Sequence, residues 1–218
     1  MLTCEVARRL AERAAPLLLH LHDHRQRARD LVAIHPTLQA DLGVPEGRRL
    51  LAGWAERHAP LGGIVLGASR FSSTPVRSVS LEEIQRIIAL ELESHLDLVL
   101  RLHPLVVDRG RIVFFSDVGV RLGWPSYPAY LAAKGGVEAA TRSLARSLGP
   151  RLIVTCVAPG SIEGAPAPPE GVVTGDTALG RTGLPEEVAE AVVRWLGLPA
   201  VVIAGQCLRI DGGRRLGP

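Results

Sequence analysis

Two hydrophobic periods take turns along this chain. Residues 3–14 (TCEVARRLAERA) place apolar side chains every three or four positions, the spacing of a helix with one buried face. Residues 16–22 (PLLLHLH) form an apolar run of strand length, and 25–34 return to the helical pattern. LQADL at 38–42 predicts a second strand, GRRLLAGWAERHAP at 47–60 a helix, and GGIVLGAS at 62–69 a strand ending in small residues. A long helical stretch covers 80–106; Ser80 with Glu83 fits a capping box at its start. RIVFFS at 111–116 reads as strand, 126–148 as helix, and RLIVTCVAPG at 151–160 as a strand running into a loop. Residues 161–184 are rich in Gly, Pro and Ala and are placed to act as a mobile lid. PEEVAEAVVRWLG is a helix opened by Pro185, and GQCLRID at 205–211 is a closing strand ended by Gly212 and Gly213.

Strands alternate with helices throughout, and several strands are apolar on both faces. That combination predicts an α/β fold, a parallel sheet covered on both sides by helices. No repeat or linker divides the chain, so residues 1–218 are expected to form one domain. Ligands in such sheets bind at the carboxyl ends of the strands.

Composition narrows the function classes. The chain has 218 residues, 47% of them hydrophobic, enough for a sizeable core. Its net charge of +3 comes from scattered arginines; Lys134 is the one lysine, and no basic tract interleaved with aromatics points to nucleic acid. No apolar run approaches the ~18 residues of a membrane span, and Glu5, Arg8 and Arg9 interrupt the position of a signal peptide's apolar stretch. Cys4, Cys156 and Cys207 lack metal-ligand spacing and read as buried thiols in a reducing, cytoplasmic setting. His20, His22 and His24 alternate at strand spacing, but without a fourth ligand they are not assigned a metal.

The sharpest chemistry lies in SYPAYLAAKGGVEAATRSLARS at 126–147. Tyr130 and Lys134 are four residues apart and share a helical face. An ammonium beside a phenol favours the phenolate, so Lys134 is expected to lower the tyrosine's pKa towards working pH. A tyrosine tuned in this way exchanges a proton with a substrate oxygen.

With this order of elements and this pair, the chain resembles the short-chain dehydrogenase/reductase family from about residue 5 to residue 216. QADL at 39–42 is similar to the family's segment near the adenine ring, including Asp41 and Leu42. IVLGAS, with Gly67, Ala68 and Ser69, stands at the family's NNAG-type strand end. VAPGSI, with Pro159, Gly160 and Ser161, resembles the loop beside the nicotinamide, and LGRTGLPEEVAEAV and GQCLRIDGG resemble the C-terminal signature. The resemblance implies a Rossmann-like doubly wound sheet and NAD(P)H-dependent reduction of a small molecule. It also implies that Lys134 holds the nicotinamide ribose, and that helices 80–106 and 126–148 pair in a homodimer or homotetramer. Asp117, thirteen residues before Tyr130, takes the place of the family's serine. With HLHDHR and SDVGVRLGWPSYPAY it is similar to the pteridine-reductase branch, which implies a pterin or dihydrofolate-like C=N substrate with Tyr130 and Asp117 as proton donors. Trp124 could stack on such a flat ring.

Three departures bear on this. MLTCEVARRL stands where the family's first helix is already running, so the first strand and its TGxxxGxG turn are not in the sequence. Either the sequence is truncated or the protein lacks that cradle and leaves a sheet edge open. Glu91 falls at the family's helical asparagine and would alter Lys134, and Leu66 starts a strand end without the asparagines. Loss of the cradle leaves a non-catalytic binding or oligomer scaffold as one alternative, and a reductase of ordinary carbonyls as another. For the cofactor, Asp23 favours NAD(H), while His22, His24 and Arg25 favour NADP(H), which is preferred slightly.

Overall fold

Strand β4 (Val106–Phe115) shows why the chain forms two layers of helix around a sheet. Ile112 and Phe114 point into one core with Val154 and Cys156, while Val113 and Phe115 point into a second with Val157. A strand buried on both faces needs helices on both sides. Helices α1 (Leu2–Glu12) and α8 (Pro185–Gly197) cover one face through Val6, Val188, Ala189, Val192 and Val193. Helices α3 (Pro45–Glu56), α5 (Ser94–Leu102) and α7 (Pro128–Leu148) cover the other through Leu51, Leu98, Val99 and Val137. Full burial of Phe114 alone stabilises this packing by roughly 2–3 kcal/mol. The structure is a computed structural model and describes residues 1–22, 25–165, 177–198 and 203–214.

The strands are all parallel, but they form two sheets. β1 (Leu19–Leu21) pairs with β2 (Thr37–Gln39). β3 (Leu61–Leu66), β4, β5 (Ile153–Pro159) and β6 (Cys207–Ile210) form the larger sheet in that order. Among the described residues no strand pairs with the outer edge of β3, and none joins β1 to it. The expected doubly wound sheet is therefore present with an interruption between β1 and β3. β1 is shorter than the predicted 16–22 and only half-buried, and among the described residues one of its edges has no strand beside it.

Three further expectations change. The stretch at 80–106 is α4 (Leu81–Ile88), a π-helical turn (Ala89–Glu93), α5 and a final 3₁₀ turn. Ser80 caps α4, accepting from the Glu83 amide at 3.1 Å. The segment 25–34 is a 3₁₀ turn followed by the one-turn helix α2 (Arg29–Val32). Of the three thiols only Cys156 is buried: Cys4 sits in the first turn of α1, and Cys207 lies on the outermost strand, so both are partly exposed. The lid assignment at 161–184 falls largely on residues 166–176, outside the described residues; its ends are joined by a parallel bridge between Ile162 and Gly183. Among the described residues no helix is long and apolar enough to cross a membrane.

Candidate active site

The segments after β3 and β4 and the start of α7 converge on Tyr130, and the end of β5 supports the segment after β4. Asp117 follows β4 and turns the chain into the one-turn helix α6 (Gly119–Leu122): its Oδ1 accepts the Gly119 amide at 2.7 Å. Its Oδ2 accepts the Tyr130 hydroxyl at 3.0 Å. Pro128 pre-sets the first turn of α7, and the helical spacing then puts Lys134 one turn below Tyr130. The Lys134 ammonium donates to the Phe115 carbonyl at 3.1 Å and lies 5.5 Å from the Tyr130 ring centroid. It also forms a 2.9 Å ion pair with Glu91. Glu91 in turn accepts from the Ser69 hydroxyl at 2.9 Å and the Arg70 amide at 2.5 Å.

These groups are nearly dry, which sets their acidity. Burial, with the Glu91 charge adding to it, pushes Asp117 up to about 6, against the Gly119 amide, the Tyr130 hydroxyl and Lys134. Burial also pushes Tyr130 far above its usual value, and the negative charges of Asp117 and Glu91 push the same way. This corrects the expectation that Lys134 lowers it. The ammonium is there, but it is matched by Glu91, and a second carboxylate touches the phenol directly. His95, fully buried one turn beyond Glu91, is held near 3 by burial first and by Lys134 second, so it is neutral.

An aromatic cluster covers the phenol. Phe71 stacks on Tyr127 (centroids 4.5 Å apart) and meets Tyr130 edge-on at 5.1 Å; Trp124 closes the group at 5.9 Å from Phe71. Thr74 holds this loop: its amide donates to Ser126 O at 2.6 Å and its hydroxyl accepts from the Ala129 amide at 3.3 Å. Sequence reasoning found Trp124 but missed Phe71 and Thr74, because residues 70–79 carry no periodic pattern, and missed Tyr127, whose neighbour Tyr130 has the lysine partner at helical spacing.

Of the other predicted positions, Ser69 joins the cluster, and Gly67 lies beside it. A Cβ on Gly67 would fall 2.3 Å from the Thr3 side chain and 3.1 Å from Phe115. Pro159 ends β5, and its carbonyl accepts the Val118 amide next to Asp117 at 3.2 Å. Gly160 is required by the close approach of Asp211, 2.8 Å from where a Cβ would stand. Ser161 accepts from Arg214. Ala68 packs against the core. Leu42 is buried in that core. His22 and Asp41 are exposed, 3.9 Å apart, at the carboxyl ends of β1 and β2. Asp23 and His24 lie outside the described residues, and Arg25 opens the 3₁₀ turn after them. His20 spends its Nε2 on Ala40 O at 2.8 Å, and among the described residues no His, Cys, Asp or Glu group is placed to hold a metal.

Of the predicted cofactor residues, His22 and Asp41 lie at the strand ends of the small sheet, and Gly67, Ser69, Gly160 and Ser161 follow strands of the larger sheet, as the catalytic candidate Asp117 does. The donor set suits a dinucleotide: an ammonium with a third donor to spare beyond Glu91 and Phe115, hydroxyls, and backbone amides at strand ends.

Known proteins share the sequence pattern and the fold of this chain. The family described as enoyl-(acyl carrier protein) reductase matches residues 2–215. The 3-oxoacyl-[acyl-carrier-protein] reductase FabG of Aggregatibacter actinomycetemcomitans is 29% identical over 95% of this chain and 92% of its own. Inactive 2-(S)-hydroxypropyl-CoM dehydrogenase 2 of Xanthobacter autotrophicus is 32% identical over 75% of this chain and 77% of its own. Among solved structures, a short-chain dehydrogenase from Burkholderia cenocepacia in complex with NADP superposes with a TM-score of 0.89 at 25% identity, covering 98% of this chain and 93% of that one.

Proposed function

The chain belongs to the short-chain dehydrogenase/reductase family, and on that footing we propose that it is an NADPH-dependent reductase of a carbonyl group with Tyr130 as proton donor. The observation that carries the reading is the buried Asp117–Tyr130–Lys134 arrangement at the carboxyl ends of β3 to β5. The FabG relative, a 3-oxoacyl reductase, supports a ketone as substrate. The NADP held by the Burkholderia relative, together with His22 and Arg25 after β1, supports NADPH over NADH.

His22 and Asp41 would face the adenosine end, and Lys134 and Ser161 the nicotinamide end. A reduced nicotinamide supplies a hydride to the substrate carbon when bound. Tyr130 gives its hydroxyl proton to the oxygen of the reduced group, and Asp117, in contact with that hydroxyl, returns a proton to it. Phe71, Tyr127 and Trp124 keep water away and leave an apolar, ring-lined approach. Exposed Leu81 and Leu100 on α4 and α5 are the positions we assign to contact with a second copy, checked by light scattering.

A second reading, a pterin-like C=N substrate, is favoured by one observation: the acid at position 117 bonds the tyrosine directly and can protonate a ring nitrogen. Turnover with NADPH on a 3-oxoacyl thioester and on a dihydropterin separates the two. Faster thioester reduction supports the first reading, and faster pterin reduction replaces it with the second. Failure of both in a folded protein points to the non-catalytic scaffold.

A further inference from the structure

Glu91 is fully buried, and among the described residues its charge has one counter-ion, Lys134. It stands in the middle of the π turn at Ala89–Glu93. A π turn inserts a residue into a helix and rotates what it carries, and such turns gather at functional sites. Here Glu91 bridges three parts of the site: Oε2 to Lys134 at 2.9 Å, and Oε1 to the Ser69 hydroxyl and the Arg70 amide.

The ammonium nearest Tyr130 is therefore already matched by an opposite charge at contact distance. A matched pair acts on a third group as a dipole, whose influence falls off faster than that of a lone charge. The other groups facing the phenol do not restore a positive field. Asp117 touches it from the β4 side, and His95 on α5 is neutral. Glu138, one turn beyond Lys134 on α7, accepts from Ser116 at 3.1 Å and has Arg209 of β6 at 3.8 Å. From the loop after β3, the Arg70 amide is a neutral donor spent on Glu91, and the Ser69 hydroxyl, which donates to Glu91, also favours the ionised phenol, the smallest of the influences on it.

We propose that Glu91 is a positioning residue that cancels the charge of Lys134 and so keeps Tyr130 in its proton-carrying form, committing the site to reduction. The proposal rests on the reductase reading. In the forward step the Tyr130 O–H bond breaks, and its proton goes to the substrate oxygen made negative by hydride addition from the reduced nicotinamide. The phenolate then takes a proton from Asp117 or water. Alcohol oxidation needs the phenolate first, which two carboxylates oppose.

Tyr127 and Tyr130 are the only tyrosines in the chain, so in a Tyr127→Phe background tyrosinate absorbance reports Tyr130 alone, with no cofactor or substrate. With Glu91 in place, no Tyr130 ionisation is expected before alkaline unfolding. Glu91→Gln, which keeps the shape and the Ser69 contact, moves the ionisation to lower pH, and Glu91→Asn does the same. Two results overturn the proposal: ionisation at the ordinary phenol value of about 10 with Glu91 present, or identical curves with and without the carboxylate. Should neither variant fold, the curve of the Glu91 protein decides alone. NADPH titration of the same preparations judges the reductase reading separately. Absent NADPH binding with a Glu91-dependent curve sinks that reading, and binding with a Glu91-independent curve sinks the proposal.

Discussion

Asp117 and Tyr130, thirteen residues apart in sequence, meet through a 3.0 Å hydrogen bond that joins the end of β4 to the start of α7. The bond couples the least acidic group of the site to a carboxylate that titrates near neutrality. Most of the site's pH behaviour follows from it.

The first consequence is for stability. Asp117 holds its proton more tightly in the folded chain (about 6) than its ordinary value of 3.8. Its contribution is complete below about pH 4 and is lost as pH rises through about 6. Asp117→Asn keeps the Gly119 and Tyr130 contacts and does not titrate. Urea denaturation should show the variant gaining on the wild type between about pH 4 and pH 7, by at most about 3 kcal/mol. A constant difference across that range would contradict the burial argument.

The same coupling shapes activity. Reduction by the wild type should step down as pH passes about 6, when Asp117 stops supplying a proton, and Asp117→Asn should remove the step. A pH profile of kcat is the check.

Tyr130→Phe removes the donor but leaves the ring packing. Turnover should fall about 10²–10⁴-fold while NADPH binding, read by nucleotide fluorescence, is retained. Full activity in the variant would assign the proton to another group.

Phe71→Ala should uncover Tyr130, since Phe71 contacts it edge-on at 5.1 Å. The ratio of kcat/KM for bulky against small ketones should rise by roughly tenfold. An unchanged ratio would remove Phe71 from the substrate approach.

Arg48 is 3% exposed and ties α3 to the central helix, with bonds to Asp97 at 2.9 Å, Glu93 at 2.6 Å and Leu42 O at 3.2 Å. Arg48→Met fills the volume but strands these partners. The denaturation midpoint should drop by an amount equal to about 1–3 kcal/mol, with activity per folded molecule kept.

The fold was legible where local pattern and burial agree. Ile112 to Phe115 are apolar without interruption because each alternate residue meets a different helical layer, and that run identified the doubly covered sheet. Tyr130 and Lys134 were legible because helical spacing is local. The sign of the tyrosine's shift was not, because it depends first on burial and then on Asp117 and Glu91, which only the tertiary packing brings to the phenol. The π turn that brings Glu91 inward leaves no mark either: ALELESH continues the helical pattern with no Gly or Pro to signal it. β1 was read too long since a sequence run does not reveal whether a neighbour strand covers each edge.

The central claim is that this site delivers a hydride and a Tyr130 proton to a carbonyl. The most direct measurement is consumption of NADPH by the purified 218-residue protein in the presence of a 3-oxoacyl thioester, beside Tyr130→Phe. The account predicts substrate-dependent loss of NADPH absorbance in the wild type and almost none in the variant. A folded wild type that neither binds nor oxidises NADPH, or a variant that matches the wild type, would contradict it.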